Sequence, residues 1–207
     1  MFKLLEQMFG LEPCKNDLPL YPGKAKTIQE VGQKQYATTS AANREYVLGT
    51  AYLGPCVAFA GYDSRRKIGF LAHYDHCTYM KESLDLLVGD LVDVSKGTPE
   101  FDCRLVGGWG RKENIMVRAI RNYFCANDEL GLRINITYED LGGFFKQRSL
   151  ALDTTTGIWY SYSLKCKPHE HRDLEASTRR SRSFGVAERV LKAKNQNNVR
   201  SHRSHVS

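Results

Sequence analysis

Cys56 and His73, seventeen positions apart, are the pair in this chain best placed to act as a nucleophile and its base. The residues between them have the pattern of a β-hairpin. Cys56-Val57-Ala58-Phe59-Ala60-Gly61-Tyr62 and Lys67-Ile68-Gly69-Phe70-Leu71-Ala72-His73 are strand-like, and Asp63-Ser64-Arg65-Arg66 is a polar turn between them. Centred between Ser64 and Arg65, such a hairpin opposes residues whose numbers sum to 129, which sets Cys56 against His73. Directly opposed residues carry Cβ atoms roughly 4.5 to 5.5 Å apart, close enough for an imidazole to take the proton of a thiol. A slip of one residue would send the two side chains to opposite faces. A thiol beside a base ionises more readily than a free one, so Cys56 is expected to have a lowered pKa and to be the most electrophile-sensitive cysteine of the chain.

Beyond this pair, Thr50-Ala51-Tyr52-Leu53-Gly54-Pro55-Cys56, then Gly107-Gly108, Arg121-Asn122, Asp140-Leu141-Gly142-Gly143, Arg148 and Thr156-Gly157 form a longer pattern. Over residues 45 to 163 that pattern resembles the chemoreceptor glutamine deamidases (CheD), a family sharing its catalytic architecture with bacterial toxins of the cytotoxic necrotizing factor type. The resemblance implies a catalytic triad of Cys56, His73 and Thr50, the threonine lying six residues before the cysteine. The chain departs from the family at Pro55, where a serine is usual, and at Tyr74-Asp75-His76-Cys77, where an apolar run toward a proline is usual. Proline removes a backbone N–H beside the nucleophile. The changed segment after His73 implies a changed substrate surface.

The chemistry implied is hydrolysis of a side-chain carboxamide. Cys56 would attack the amide carbon, His73 would carry the thiol proton to departing ammonia, and water would then hydrolyse the thioester. Thr50 would orient His73 through its hydroxyl or its carbonyl, because a third group must hold the active tautomer. The Cys56 N–H and a neighbouring main-chain donor are candidates for the oxyanion site. Gly54 and Pro55 beside the nucleophile, and Arg148, are the candidate substrate-binding residues. No cofactor is implied. His73, Asp75, His76 and Cys77 are all zinc-binding types, but on a strand His76 faces away from the other three, so no metal site is expected and Cys77 reads as an accessory thiol.

The 207 residues, 42% hydrophobic and 26% charged, suffice for one packed domain with appendages. The net charge of +7 looks like a nucleic-acid signal until it is divided. Residues 167–207 hold ten Lys or Arg against four Asp or Glu, leaving 20 against 19 in the remainder. The domain itself is nearly neutral, which weighs against a nucleic-acid-binding core. Charge interrupts the start of the chain too early for a signal peptide, and no apolar run approaches 18 residues. A cytoplasmic protein is expected, with delivery into a host cell as an effector as the variant. Six scattered cysteines without CxxC pairs point to neither disulfides nor a zinc ribbon.

Three units are expected: a loop-rich lead-in over 1–44 with a short helix at its start, a deamidase-like domain over 45–166, and a basic, flexible tail over 167–207. Within the domain, strands are predicted at about 46–53, 56–62, 67–73 and 101–106, and at Arg133–Glu139, Arg148–Asp153 and Gly157–Ser163. Helical spacing links Met80, Leu84, Leu87, Val88 and Leu91, and a second stripe runs from Ile115 to Phe124 with Gly131 as its stop. The fold class is α+β, with layered, largely antiparallel sheets and helices packed outside. In the tail, Phe184–Lys194 has the composition of a helix, and truncation near Lys167 is expected to leave the fold intact.

The leading function is that of a protein-glutamine amidohydrolase whose partner is a protein carrying the target Gln, a chemoreceptor or a host protein. Neither nucleic acid nor membrane insertion is expected. A thiol protease or transglutaminase-like acyltransferase would use the same pair, and release of ammonia without peptide cleavage separates these. A non-catalytic binding module holding an acidic partner through the tail is the third reading, marked by steep salt dependence.

Overall fold

The computed structural model describes residues 18–23, 27–109, 114–127, 129–143, 147–162 and 183–190. Among them the elements run β1 (Ile28–Glu30), β2 (Gln35–Ser40), β3 (Val47–Leu53), β4 (Val57–Asp63), β5 (Ile68–Tyr74), α1 (Met80–Ser95), β6 (Glu100–Gly107), α2 (Ile115–Ala126), β7 (Arg133–Leu141), β8 (Arg148–Asp153), β9 (Ile158–Tyr160) and β10 (Glu188–Arg189). A four-stranded sheet has the order β1-β3-β8-β9 and a six-stranded sheet the order β10-β2-β5-β4-β6-β7. The class is α+β, as the strand-rich pattern requires. Pairing is mixed: β1 with β3, β10 with β2 and β6 with β7 are parallel, and the other neighbours are antiparallel.

Alternation along the central strands separates two apolar layers. Val57 and Phe59 of β4 and Phe70, Ala72 and Tyr74 of β5 face α1 and α2, where Leu84, Leu87, Leu91, Val117 and Ile120 cover them. Phe59, Phe70 and Phe101 stack edge to face with centroids 5.0 and 5.3 Å apart. On the other face Ala58, Ala60 and Leu71 meet Leu48, Leu53 and Leu150 of the smaller sheet. Small residues here let the sheets approach closely. A Cβ on Gly69 would lie 2.5 Å from Leu152 Cδ2.

Three expectations need correction. Residues 28–30 and 35–40 are not loop: β1 and β2 each join one sheet, their polar side chains buried because hydrogen bonds satisfy them, as when the Thr39 hydroxyl donates to the Glu45 carbonyl at 2.6 Å. Residues 183–190 are not helical. They run extended along β2, with Glu188 N–H donating to the Lys34 carbonyl, Val190 N–H to that of Tyr36, and Ala187 buried against α1 and its neighbours. Finally, α2 ends at Ala126 with Asn127 as its cap, and Gly131, at φ +71°, turns the chain into β7 instead. The helix expected at the start of the chain, and most of the basic tail, lie outside the described residues.

Candidate active site

The β4–β5 hairpin forms, but its register differs from the symmetric one by two residues. Ala58 pairs with His73 and Val57 with Tyr74, so opposed numbers sum to 131. The cause is the turn. Asp63 stays in the ladder opposite Ile68, its carboxylate accepting the Arg66 N–H at 2.9 Å and the Arg66 guanidinium at 2.9 Å, while Lys67 takes a left-handed conformation at φ 52°. Cys56 is therefore not directly opposite His73. A slip of two preserves the face, however, and Cys56, just before β4, still points with Ala58 into the layer between the sheets.

The threonine reaches the histidine from the other sheet. Thr50 on β3 is fully buried, and its Oγ1 lies 2.8 Å from His73 Nδ1 and 2.8 Å from the Val31 carbonyl oxygen. That carbonyl can only accept, so the single hydroxyl proton goes to Val31. Thr50 must then accept from His73, which places the proton on Nδ1 and leaves the Nε2 lone pair free. His73 Nε2 is buried with no hydrogen-bond partner among the described residues. Burial pushes the His73 pKa down to about 4, the Val31 carbonyl opposing the fall. At neutral pH the side chain is an uncharged base.

The thiol is also uncharged, against expectation. Burial pushes Cys56 up to about 12; the negative charge of Asp75 adds to the rise and Lys34 opposes it. Both side chains are therefore neutral near pH 7. A loop missed by composition surrounds them. Gln33 Nε2 lies 3.6 Å from Cys56 Sγ and 2.9 Å from Asp75 Oδ2, and Lys34 Nζ is 3.6 Å from the same carboxylate oxygen. Asp75 Oδ1 accepts the Cys77 N–H and the Thr78 hydroxyl, each at 2.9 Å. Lys34, at φ 53°, also donates to the Ser183 carbonyl, and its N–H bonds the His73 carbonyl at 2.8 Å. Among the described residues no cluster of His, Cys, Asp and Glu is arranged to hold a metal, and Asp75 is committed to this network.

The glycine motif supports the Cys56 main chain. Gly108 N–H donates to the Cys56 carbonyl at 2.8 Å, and Gly107, at φ +111°, passes so close that a Cβ there would sit 2.2 Å from the same oxygen. Gly142 N–H bonds the carbonyls of Gly107 and Gly108 in turn. Gly54 is buried under the Trp109 ring, and a Cβ there would lie 2.7 Å from it, while Pro55 is exposed at the rim. Arg148 is buried opposite Leu53 and bound to Asp140 at 2.9 Å. Its Nε and Nη1 have no partner among the described residues.

No model of a known protein family matches the chain. A protein of Thermococcus kodakarensis, named as a probable chemoreceptor glutamine deamidase CheD, is 29% identical over 146 residues, spanning 62% of this chain and 88% of that protein. The chain is thus similar to CheD. The match bears on the CheD resemblance and not on the toxin relationship. Among solved structures, the hypothetical protein YfiH of Bacillus licheniformis aligns with 89% of this chain and 76% of its own at 13% identity and a TM-score of 0.33, too loose a likeness to bear on fold or function. No described helix is long and apolar enough to cross a membrane.

Proposed function

We propose that the chain is a protein-glutamine amidohydrolase, converting the side-chain carboxamide of a glutamine in a partner protein to a carboxylate. The observation that carries this reading is the His73 tautomer: an imidazole with its Nδ1 proton committed to Thr50 and a free, buried Nε2 in the layer into which Cys56 points. The similarity to a protein named as a CheD deamidase supplies the substrate class. In the first half-reaction Nε2 takes the Sγ proton as sulfur bonds to the amide carbon and the carbonyl electrons move onto oxygen. Collapse breaks the C–N bond, and the imidazolium gives its proton to leaving ammonia. Water then attacks the thioester, giving its proton to Nε2, and the restored thiol leaves a glutamate.

A neutral thiol and a neutral imidazole fit this scheme, since proton transfer then accompanies attack instead of preceding it. Thr50 acts as the positioning residue, and Gly107 and Gly108 hold the Cys56 main chain. Substrate enters from the side of exposed Pro55. The partner is a chemoreceptor or another protein, including a host protein for an exported chain. Mass spectrometry of candidate substrates incubated with the protein tests the proposal. The mass gain of Gln-to-Glu conversion with ammonia release, absent for Cys56→Ala, is expected; peptide cleavage, or amine incorporation without hydrolysis, would replace it with a protease or acyltransferase.

A further inference from the structure

Pro55 has no N–H, so the position before the nucleophile cannot contribute to an oxyanion site. The structure places a side-chain donor against the sulfur instead. Gln33 Nε2 lies 3.6 Å from Cys56 Sγ, and the orientation of its amide is fixed: Asp75 Oδ2, 2.9 Å away, belongs to a carboxylate that only accepts, so the edge facing it must be the NH2 group. One N–H is spent on Asp75. The other is directed to the sulfur. Asp75 is itself immobilised by the Cys77 N–H, the Thr78 hydroxyl and Lys34, so the donor is held before substrate arrives.

We propose that Gln33 is a catalytic residue whose free amide N–H binds the oxyanion of the tetrahedral intermediate on Cys56, with Asp75 as its positioning residue. The inference rests on the amidohydrolase reading for its natural substrate, but it applies to any acyl group transferred to Cys56. As Sγ bonds to the carbonyl carbon, the electron pair of the C=O bond moves to oxygen, and the Gln33 N–H donates to that oxygen without itself giving up a proton. A donor already in contact with sulfur needs only a small adjustment to stand at the roughly 2.7–3.1 Å that oxyanion donors adopt.

Two reagents separate this role from a structural one without the natural substrate. p-Nitrophenyl acetate acylates a thiol through an oxyanion, whereas iodoacetamide alkylates it by displacement at a saturated carbon and develops none. Modification at Cys56 is followed by peptide mass in both cases, with Cys56→Ala as the blank. Gln33→Met, close in volume but without a donor, should lower the acylation rate on the order of a hundredfold and leave the alkylation rate within a few-fold of wild type. Gln33→Glu, which offers an acceptor toward the sulfur, should lose acylation at least as far. Equal losses with both reagents, or unchanged acylation in Gln33→Met, would overturn the assignment. Wild-type protein that acylates normally but deamidates no protein would sink the amidohydrolase reading and leave Gln33 standing.

Discussion

The burial of His73 makes a quantitative demand on stability in acid. Its folded pKa is about 4, against an ordinary value of 6.5, because burial disfavours the imidazolium. The folded state therefore binds this proton less readily than the unfolded chain. Stability from the neutral histidine is fully present above pH 6.5 and is lost as pH falls through the window down to about 4. A displacement of that size corresponds to about 3 kcal/mol, at a slope no steeper than about 1.4 kcal/mol per pH unit. His73→Gln removes the titration while keeping a polar, neutral side chain. Urea unfolding of both proteins, followed by the fluorescence of the two tryptophans at intervals from pH 7.5 to pH 4, isolates the contribution, because other titrating groups cancel in the difference. Wild type minus variant should shrink by about 3 kcal/mol toward acid. Parallel curves, or a difference that grows as pH falls, would refute the argument that His73 is held neutral.

The remaining expectations are shorter. Cys56→Ala and His73→Ala should each abolish ammonia release while melting near wild type, because both act in one chemical unit; wild-type release by either would remove that residue from the mechanism. With Cys56 pushed up to about 12, its alkylation by iodoacetamide should keep rising about tenfold per pH unit past pH 9, where an ordinary thiol levels off, and a plateau near pH 8 would show the thiol to be lowered instead. Gly107→Ala combines positive φ with overlap of the Cys56 carbonyl and should cost about 3 kcal/mol or more in urea unfolding, whereas Gly131→Ala, at φ +71° with Val92 only 3.7 Å away, should cost about 1 kcal/mol. A chain ending before Ser183 loses the strand pairing with β2, buried Ala187 and the Arg189–Asp90 ion pair, and should melt more than about 5 °C lower; an unchanged melting temperature would show that segment to be dispensable.

Where strands alternate apolar residues or helices carry a stripe, the fold was legible. Phe59, Phe70 and Phe101 announce strands, and Leu84, Leu87 and Leu91 a helix, because the same periodicities bury them under one another. β1 and β2 escaped because Gln29, Thr38 and Thr39 are buried polar residues, and the partners of the first two, the Val190 carbonyl for Gln29 and the Arg189 guanidinium for Thr38, come from distant parts of the chain. The same holds for residues 183–190. Their composition favours a helix, but the unpaired edge of β2 offers backbone hydrogen bonds, and tertiary context overrides propensity.

For the candidate site, the decisive fact is that register errors differ in kind. A slip of one residue moves a side chain to the other face, whereas the two-residue displacement seen here keeps Cys56 and His73 in one layer and changes only which of them stand opposed. That the two side chains share a face could therefore be inferred without knowing the turn. Their ionisation could not, because it depends on depth. A rim thiol beside an imidazole would be lowered, but Cys56, buried between two sheets with Asp75 nearby, is raised, and His73 is lowered by the same exclusion of water. Gln33, Lys34 and Asp75 were likewise invisible as a group: the first two lie on a polar turn, the third follows β5, and the pairing of β2 with β5 is what brings them together.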